Sequence, residues 1–530
     1  MRTHRVRSVH LKTCFPAVYC DKVLSSSSFS PSFSRFSVLL LVLLTALGVV
    51  VAGYHPGTED DGVYLAAIYH NLNPALFCAD ADFFALQLQA TVFDKLVAAS
   101  VRMLHLPVEV VVLGWHLLTI FGILAACYRI ASRCFEHEYA RWCGVALVTV
   151  FFTLPVAGTA LYIVDQSLHP RAICTALVLF AVDCVLGRRY LGAAVLEAVA
   201  FLFHPIMAAF GLSLCLFLAV PWPRLSAQSA TGMFAAFAIP MEWIFDPTSP
   251  AWREAANTCT YYFLTRWAWY EWLGAIAPIF ILLWFATLAR RREQPVLERL
   301  STRVAVYGVF QVGVALLVML PMIFERLRPL QPMRYLHLLY IFLILLAGCF
   351  IGENFLREHH WRWAALFVPV ALVMFFAQRA TYPASPHLEL PGIRSSNPWL
   401  ASFEWVRKNT PENAYFVLGR DYLHRPGEDN HGFRALALRS ALADSVKDSA
   451  VVTQVPRLAA RWRAEVAAQT PTENVAQTTG VNDWQQITAA DLRRLKAQFG
   501  VDWVILERRS TKLALDCPYK NAELEVCRIN

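Results

Sequence analysis

Apolar stretches recur along this 530-residue chain, and at about 17 to 22 residues they match what a helix needs to cross a hydrocarbon layer about 30 Å thick. Spans are expected at 37–53, 108–128, 142–162, 171–187, 191–203, 206–220, 231–246, 272–289, 304–323, 335–352 and 363–378, about eleven in all. Charged residues make up only 16% of the chain, against roughly a quarter in an ordinary soluble domain. Both facts argue against a soluble enzyme and for a polytopic α-helical membrane protein.

The connections set an orientation, because Lys and Arg near span ends prefer the cytoplasmic side. Arg129, Arg133 and Arg141 share one connection, Arg188 and Arg189 a second, Arg290 to Arg292 with Arg299 and Arg303 a third, and Arg357 and Arg362 a fourth. All four can be cytoplasmic if residues 191–220 enter and return as two short helices broken at His204-Pro205. The span count is then odd, with residues 1–36 a basic cytoplasmic segment, 37–379 the transmembrane domain, 54–107 a long external loop, and 380–530 an external C-terminal domain. A cleaved signal peptide has a shorter charged region than the one here, so the first span is expected to stay.

After residue 380 the apolar runs stop, and Pro383, Pro386 and Pro391 mark a linker. Ala414–Leu418 and Val501–Leu506 read as strands and Ala489–Gln498 as a helix capped by Thr488, which suggests an α/β fold. Most of the 13 cysteines lie in apolar spans, and only Cys517 and Cys527 look like a disulfide pair, which suits an oxidising compartment. The net charge of +8 is spread over short connections and makes no aromatic-interleaved patch of the kind that binds nucleic acid.

Chemistry is most legible in the first external loop, where Glu59-Asp60-Asp61 follows the first span within Tyr54-His-Pro-Gly-Thr-Glu-Asp-Asp-Gly-Val-Tyr64. Adjacent carboxylates repel, so a site that keeps them usually holds a cation or a proton. They can act as a general base or, with Asp165, hold a divalent cation against a phosphate; a solvated acidic turn is the alternative. Asp165 lies between two spans beside His169 and Arg171, and it reads either as functional or as an ion pair with Arg171. The external loop Phe324–Tyr335 carries Arg326, Arg328 and Arg334 against the topology rule, as a lipid-phosphate site would require; ordinary contact with headgroups or a mistaken span count is the alternative. His204, His55 and Arg171 are candidates to line a cavity, and His55 and His70, which flank the acidic loop, are candidates to ligate a metal. No nucleotide-binding or hydrolase motif is present.

This layout resembles the GT-C superfamily of membrane glycosyltransferases, which includes protein mannosyltransferases and oligosaccharyltransferases. Asp60 and Asp61, or Glu59, match that family's first-loop acidic pair. Asp165 matches its second-loop carboxylate, and the Arg326 to Arg334 loop its donor-phosphate site. Trp405-Val-Arg-Lys-Asn-Thr-Pro411, followed by Phe433-Arg434 and Arg439, looks like the start of the external domain in bacterial members. The motif here is Glu-Asp-Asp in place of a plain pair, which leaves the identity of the base open, with Asp60 as the first choice. The resemblance implies a GT-C-like enzyme of the bacterial inner membrane. It would move a hexose or pentose, with inversion, from a polyprenyl phosphate carrier to a lipid, glycan or protein acceptor, with a divalent cation as the one cofactor to expect and no nucleic acid partner. The rivals are a transporter or flippase for a lipid-linked or acidic solute, whose charges would line a path through the spans, and a noncatalytic envelope assembly protein acting through residues 380–530.

Overall fold

A computed structural model of the chain describes residues 33–220, 247–393, 395–425, 427–471, 483–508 and 513–530. The basic segment up to residue 32 and the expected span at 231–246 lie outside the described residues. Among the described residues, six helices are long and apolar enough to cross a membrane. The expected count of about eleven is not established by these six; Tyr190–Phe203 and Pro205–Ala219 are shorter apolar helices.

The first half of the chain forms α1 (Arg35–Ala52), α2 (Asp61–Leu72), α3 (Asp82–Leu88), α4 (Phe93–Leu104), α5 (Val108–Cys134), α6 (Glu138–Val150), α7 (Pro170–Leu186), α8 (Tyr190–Phe203) and α9 (Pro205–Ala219). Then follow α10 (Pro250–Thr258), α11 (Trp269–Arg291), α12 (Pro295–Met319), α13 (Leu336–Ile351) and α14 (His360–Thr381). Helix α13 is apolar all round and almost wholly buried, as expected of a helix at the centre of a bundle. By contrast α14 turns Val368, Leu372, Val373 and Phe376 outward, an apolar face suited to lipid.

Two local features depart from simple spans. The expected helix at 142–162 ends at Val150, because Pro155 disfavours helical backbone before it and the chain instead forms a small hairpin, β1 (Pro155–Val156) against β2 (Leu161–Tyr162). Gly158, at φ +62°, turns this hairpin; a Cβ there would lie 2.3 Å from the Trp267 ring. The break at His204-Pro205 is present as expected: Pro205 opens α9, and the His204 Nδ1 accepts from the Met207 N–H at 3.3 Å.

The C-terminal domain is α/β, as the sequence implied. Its five strands, β3 (Tyr415–Val417), β4 (Ser440–Ala441), β5 (Trp503–Glu507), β6 (Asp516–Lys520) and β7 (Leu524–Arg528), stand in the order β4-β3-β5-β7-β6. Strand β3 pairs in parallel with β4 and β5, while β7 runs antiparallel to both β5 and β6. Side chains alternate along each strand. Phe416, Trp503 and Ile505 pack with Trp399 and Phe403 of α15 (Pro398–Asn409) and with α16 (Phe433–Ala437). Val417, Val504 and Leu506 pack on the opposite face. Helices α17 (Lys447–Gln454), α18 (Ala459–Ala468) and α19 (Ala489–Phe499) complete the domain, and Leu492 and Leu495 of α19 fill that second face. Thr488 caps α19 in a reciprocal box with Asp491, and Cys517 and Cys527 are disulfide-bonded.

The domain docks directly on the acidic loop. The Gly432 N–H donates to the Gly57 carbonyl at 2.8 Å, and a Cβ on Gly432 would stand 2.9 Å from the Gly62 Cα. A side chain at Gly432 would clash with that backbone, and one at Gly62 would press on the Gly432 Cα at 3.3 Å. The linker adds to it: the Glu389 N–H donates to the Tyr54 carbonyl at 2.9 Å, and the Tyr54 N–H to His387 at 3.1 Å.

Candidate active site

A cavity of about 670 Å³ opens where the acidic loop, the 155–171 connection, the start of α11 and the C-terminal domain meet. It brings together Glu59, Asp60, Asp61, Asp165, Arg171 and Arg334, residues separated by up to 275 positions (334 − 59) in the sequence. A smaller recess of about 80 Å³ continues past Arg171, Arg334 and His204.

The acidic loop is shaped by its own backbone. Glu59 has φ +51°, a left-handed conformation costly for a residue with a side chain and typical of functional loops. Asp61 opens α2 and its Oδ2 accepts from the Gly57 N–H at 2.7 Å. Burial drives the Asp61 carboxyl up to about 7 against the pull of that N–H, and the Asp165 and Asp60 charges add to the rise. Asp60 behaves in the opposite way: the Lys447 ammonium, opposing burial, holds it well below the usual carboxylate range, with help from His169 and Arg171. Two neighbouring carboxylates are thus driven apart, one ionised and one poised near neutrality.

Lys447 enters from the C-terminal domain and its Nζ lies 2.5 Å from Glu59 Oε2 and 3.1 Å from Asp60 Oδ1. Burial disfavours its charge, but Asp60 and Glu59 outweigh burial and raise it. The first turn of α17 is fixed by Asp444, whose Oδ1 accepts from the Lys447 N–H at 2.6 Å. Arg434 braces the same helix, binding Asp448 at 2.9 Å and also Asp80 of the first loop. On its other side, the Trp252 indole donates to the Thr453 carbonyl at 3.1 Å.

On the facing wall Arg171 forks onto both oxygens of Asp165 at 2.7 and 2.8 Å. Burial raises the Asp165 carboxyl, but Arg171 and then His169 overcome it and hold the group low. The ion pair expected between Asp165 and Arg171 is therefore present, and Asp165 also lines the cavity. The His169 Nδ1 accepts from the Arg171 N–H at 3.1 Å, and its Nε2 faces Asp60 Oδ2 at 3.7 Å. Burial, and then Arg171, lower this imidazole and keep it neutral. Among the described residues, three buried donors here have no hydrogen-bond partner: His169 Nε2, Arg171 Nη1 and Arg334 Nε. Buried donors normally are paired, so this wall leaves hydrogen-bonding capacity open toward the cavity.

The other expected residues fall elsewhere. Arg328 donates to the Met319 carbonyl at 3.2 Å and lies over the Phe263 ring, and neither it nor Arg326 lines the cavity. His55 is fully buried against Glu389 at 2.7 Å, and His431 binds the same carboxylate at 3.1 Å, a clasp between loop, linker and domain. His70 bonds the Leu76 carbonyl at 3.1 Å. Tyr382 and Lys447 line the cavity but were not picked out from the sequence; Lys447 sits in a polar helix start, Asp444-Ser-Val-Lys-Asp448, that carries no distinguishing pattern.

As for metal, the carboxylates are already engaged. Both Asp165 oxygens face Arg171, and an ammonium bridges Glu59 and Asp60. Among the described residues, three His, Cys, Asp or Glu ligand atoms converge only at Cys517, Glu525 and Cys527, where both thiols are in a disulfide. This arrangement does not fit a divalent cation.

No protein-family model and no curated protein matches the sequence. Among solved structures, the oligosaccharyltransferase of Archaeoglobus fulgidus, in the apo form, is similar over 90% of this chain and 70% of that chain, with a TM-score of 0.40 and 9% identity. At that identity and TM-score the similarity sets neither the family nor the activity.

Proposed function

We propose that this protein is a membrane glycosyltransferase that takes a sugar from a lipid-linked phosphate, of the polyprenyl type, and passes it to a hydroxyl presented from the side of the C-terminal domain. The observation that carries this reading is one cavity with a carboxyl poised near neutral pH on one wall and unpaired buried Arg and His donors on the other. A base works best when its pKa lies near the working pH, which favours Asp61 over Asp60 for that role. Asp61 takes the proton of the acceptor hydroxyl, the acceptor oxygen bonds to the anomeric carbon with inversion, and the bond from that carbon to the phosphate oxygen breaks. The phosphate leaves with the electron pair and meets Arg334 and Arg171. Asp165 orients Arg171, and no step runs through a metal.

A lipid-borne donor is supported by the cavity's rim, where Trp267, Tyr270 and Gly274 belong to the approach and first turns of α11, a helix of membrane-crossing length. Aromatic residues favour the level of lipid headgroups. On this reading the cavity end faces away from the cytoplasm. The test is native mass spectrometry of detergent-purified protein with polyprenyl phosphate. Wild type is expected to retain it, and Arg334→Ala to bind about tenfold more weakly, the loss of about one charge-assisted contact. Equal adducts in both proteins would remove the donor site and with it the transferase reading.

A further inference from the structure

The carboxylates that open the cavity are not waiting for a counter-charge, because the chain supplies one from 387 residues away. Lys447 is mostly buried, with its side chain 19% exposed, and touches both Glu59 and Asp60. It is held there from three directions: by the Asp444 turn at its N–H, by the Arg434 brace on the next residue, and by α10 behind the helix. We propose that Lys447 is a built-in cation, taking the place between Glu59 and Asp60 that a divalent metal would otherwise fill, so that the site's charge balance depends on docking of the C-terminal domain and not on metal.

The neighbouring groups agree. Because the His169 Nδ1 accepts a backbone N–H, its neutral ring carries the proton on Nε2. The atom directed at Asp60 is thus a donor and not a lone pair able to ligate metal. Asp165 has both oxygens on Arg171, and Asp61 has one on Gly57. An ammonium is a compact point charge with three donors; it can balance two carboxylates at once without the ordered coordination shell a metal requires. The consequence is a coupling: separating the C-terminal domain from the loop leaves Glu59 and Asp60 facing each other uncompensated, which disfavours the open arrangement.

This inference rests on where the site lies and not on the transfer reaction, so it is tested without donor or acceptor. Full-length protein in detergent is titrated with Mn2+, followed by its electron paramagnetic resonance signal and by thermal unfolding. Wild type and Lys447→Arg are expected to take up no stoichiometric Mn2+. Lys447→Met uncovers the carboxylates and is expected to bind one Mn2+ at least about tenfold more tightly than wild type and to unfold at a higher temperature with Mn2+ than with chelator. Adding Asp60→Asn to Lys447→Met is expected to abolish that gain. Stoichiometric Mn2+ binding by wild type overturns the proposal, as does a Lys447→Met protein that binds none. If Lys447→Met is unfolded in chelator, Mn2+ must restore its folding, and failure to do so also overturns it. Polyprenyl phosphate binding at Arg334 is read separately, so the two proposals fail independently.

Discussion

Buried carboxylates are handled in two ways at the two ends of the helical body. At the end away from the cavity, Asp183 of α7 is 1% exposed and is surrounded by Arg129 at 2.7 Å, Arg189 at 3.0 Å and Arg133. One acid meets three cations, and no atom of the Asp183 side chain is left buried and unpaired. At the cavity end, Glu59, Asp60, Asp61 and Asp165 share Lys447, Arg171 and Arg334, and three donors stay unpaired. The first arrangement is saturated and fixes α5 against α7. The second keeps one proton movable and several donors open, which stability alone would not select.

The sharpest way to break this contrast is to neutralise one acid at each end. Asp61→Asn is expected to lower glycosyl transfer by about a thousandfold, the range of a lost general base, while the folded yield stays at wild-type level. Asp183→Asn is expected to do the reverse. It leaves three guanidinium groups without their shared partner and should cost about 3 kcal/mol of stability, read as a lower unfolding temperature, with lipid-phosphate binding intact in whatever protein remains folded. Transfer lost equally in both variants would show that the two ends do not differ in kind.

A smaller effect comes from pH. The Asp61 carboxyl sits at about 7 in the folded protein and at 3.8 without the fold. The group thus favours folding fully below the unfolded value, and this contribution is lost as pH rises through about 7. Wild type should lose a few kcal/mol relative to Asp61→Asn between about pH 4 and pH 7, visible as converging and then crossing unfolding temperatures. Transfer should rise with pH over the same range and level off above about 7. A flat stability difference would mean that Asp61 is ionised throughout and is not the base.

How far the sequence foretells all this depends on the range of the interaction. Apolar length located α1, α5, α11 and α12 because a span is a local property, and the Thr488 cap and the His204-Pro205 break were local too. Glu59 to Asp61 and Asp165 stood out because charges beside hydrocarbon are expensive wherever they occur. Their counterions did not all stand out. Arg171 lies six residues from Asp165 and was legible, whereas Lys447 reaches Glu59 only through the folded sheet and α17. The helix expected to run to residue 162 fails because apolar content there serves a half-buried hairpin against Trp267, and hydropathy does not distinguish a span from such a turn.

The loop from Met322 to Tyr335 is where local reasoning was least discriminating, since Arg326, Arg328 and Arg334 looked alike in the sequence. In the fold they separate. Arg334 lines the cavity with a buried, unpaired Nε, whereas Arg328 bonds a carbonyl of α12 and stacks on Phe263. A guanidinium already satisfied by a backbone carbonyl and an aromatic face has little left to give a phosphate. Arg328→Ala is therefore expected to leave polyprenyl phosphate binding within about twofold of wild type and to cost about 1 kcal/mol of stability, the scale of one hydrogen bond and one cation–π contact. The measurement is the same mass-spectrometric titration that tests Arg334→Ala, run beside thermal unfolding. A Arg328→Ala loss of binding as large as that of Arg334→Ala would mean that the donor phosphate is recognised by the loop as a whole, and the division of labour between its arginines would fall.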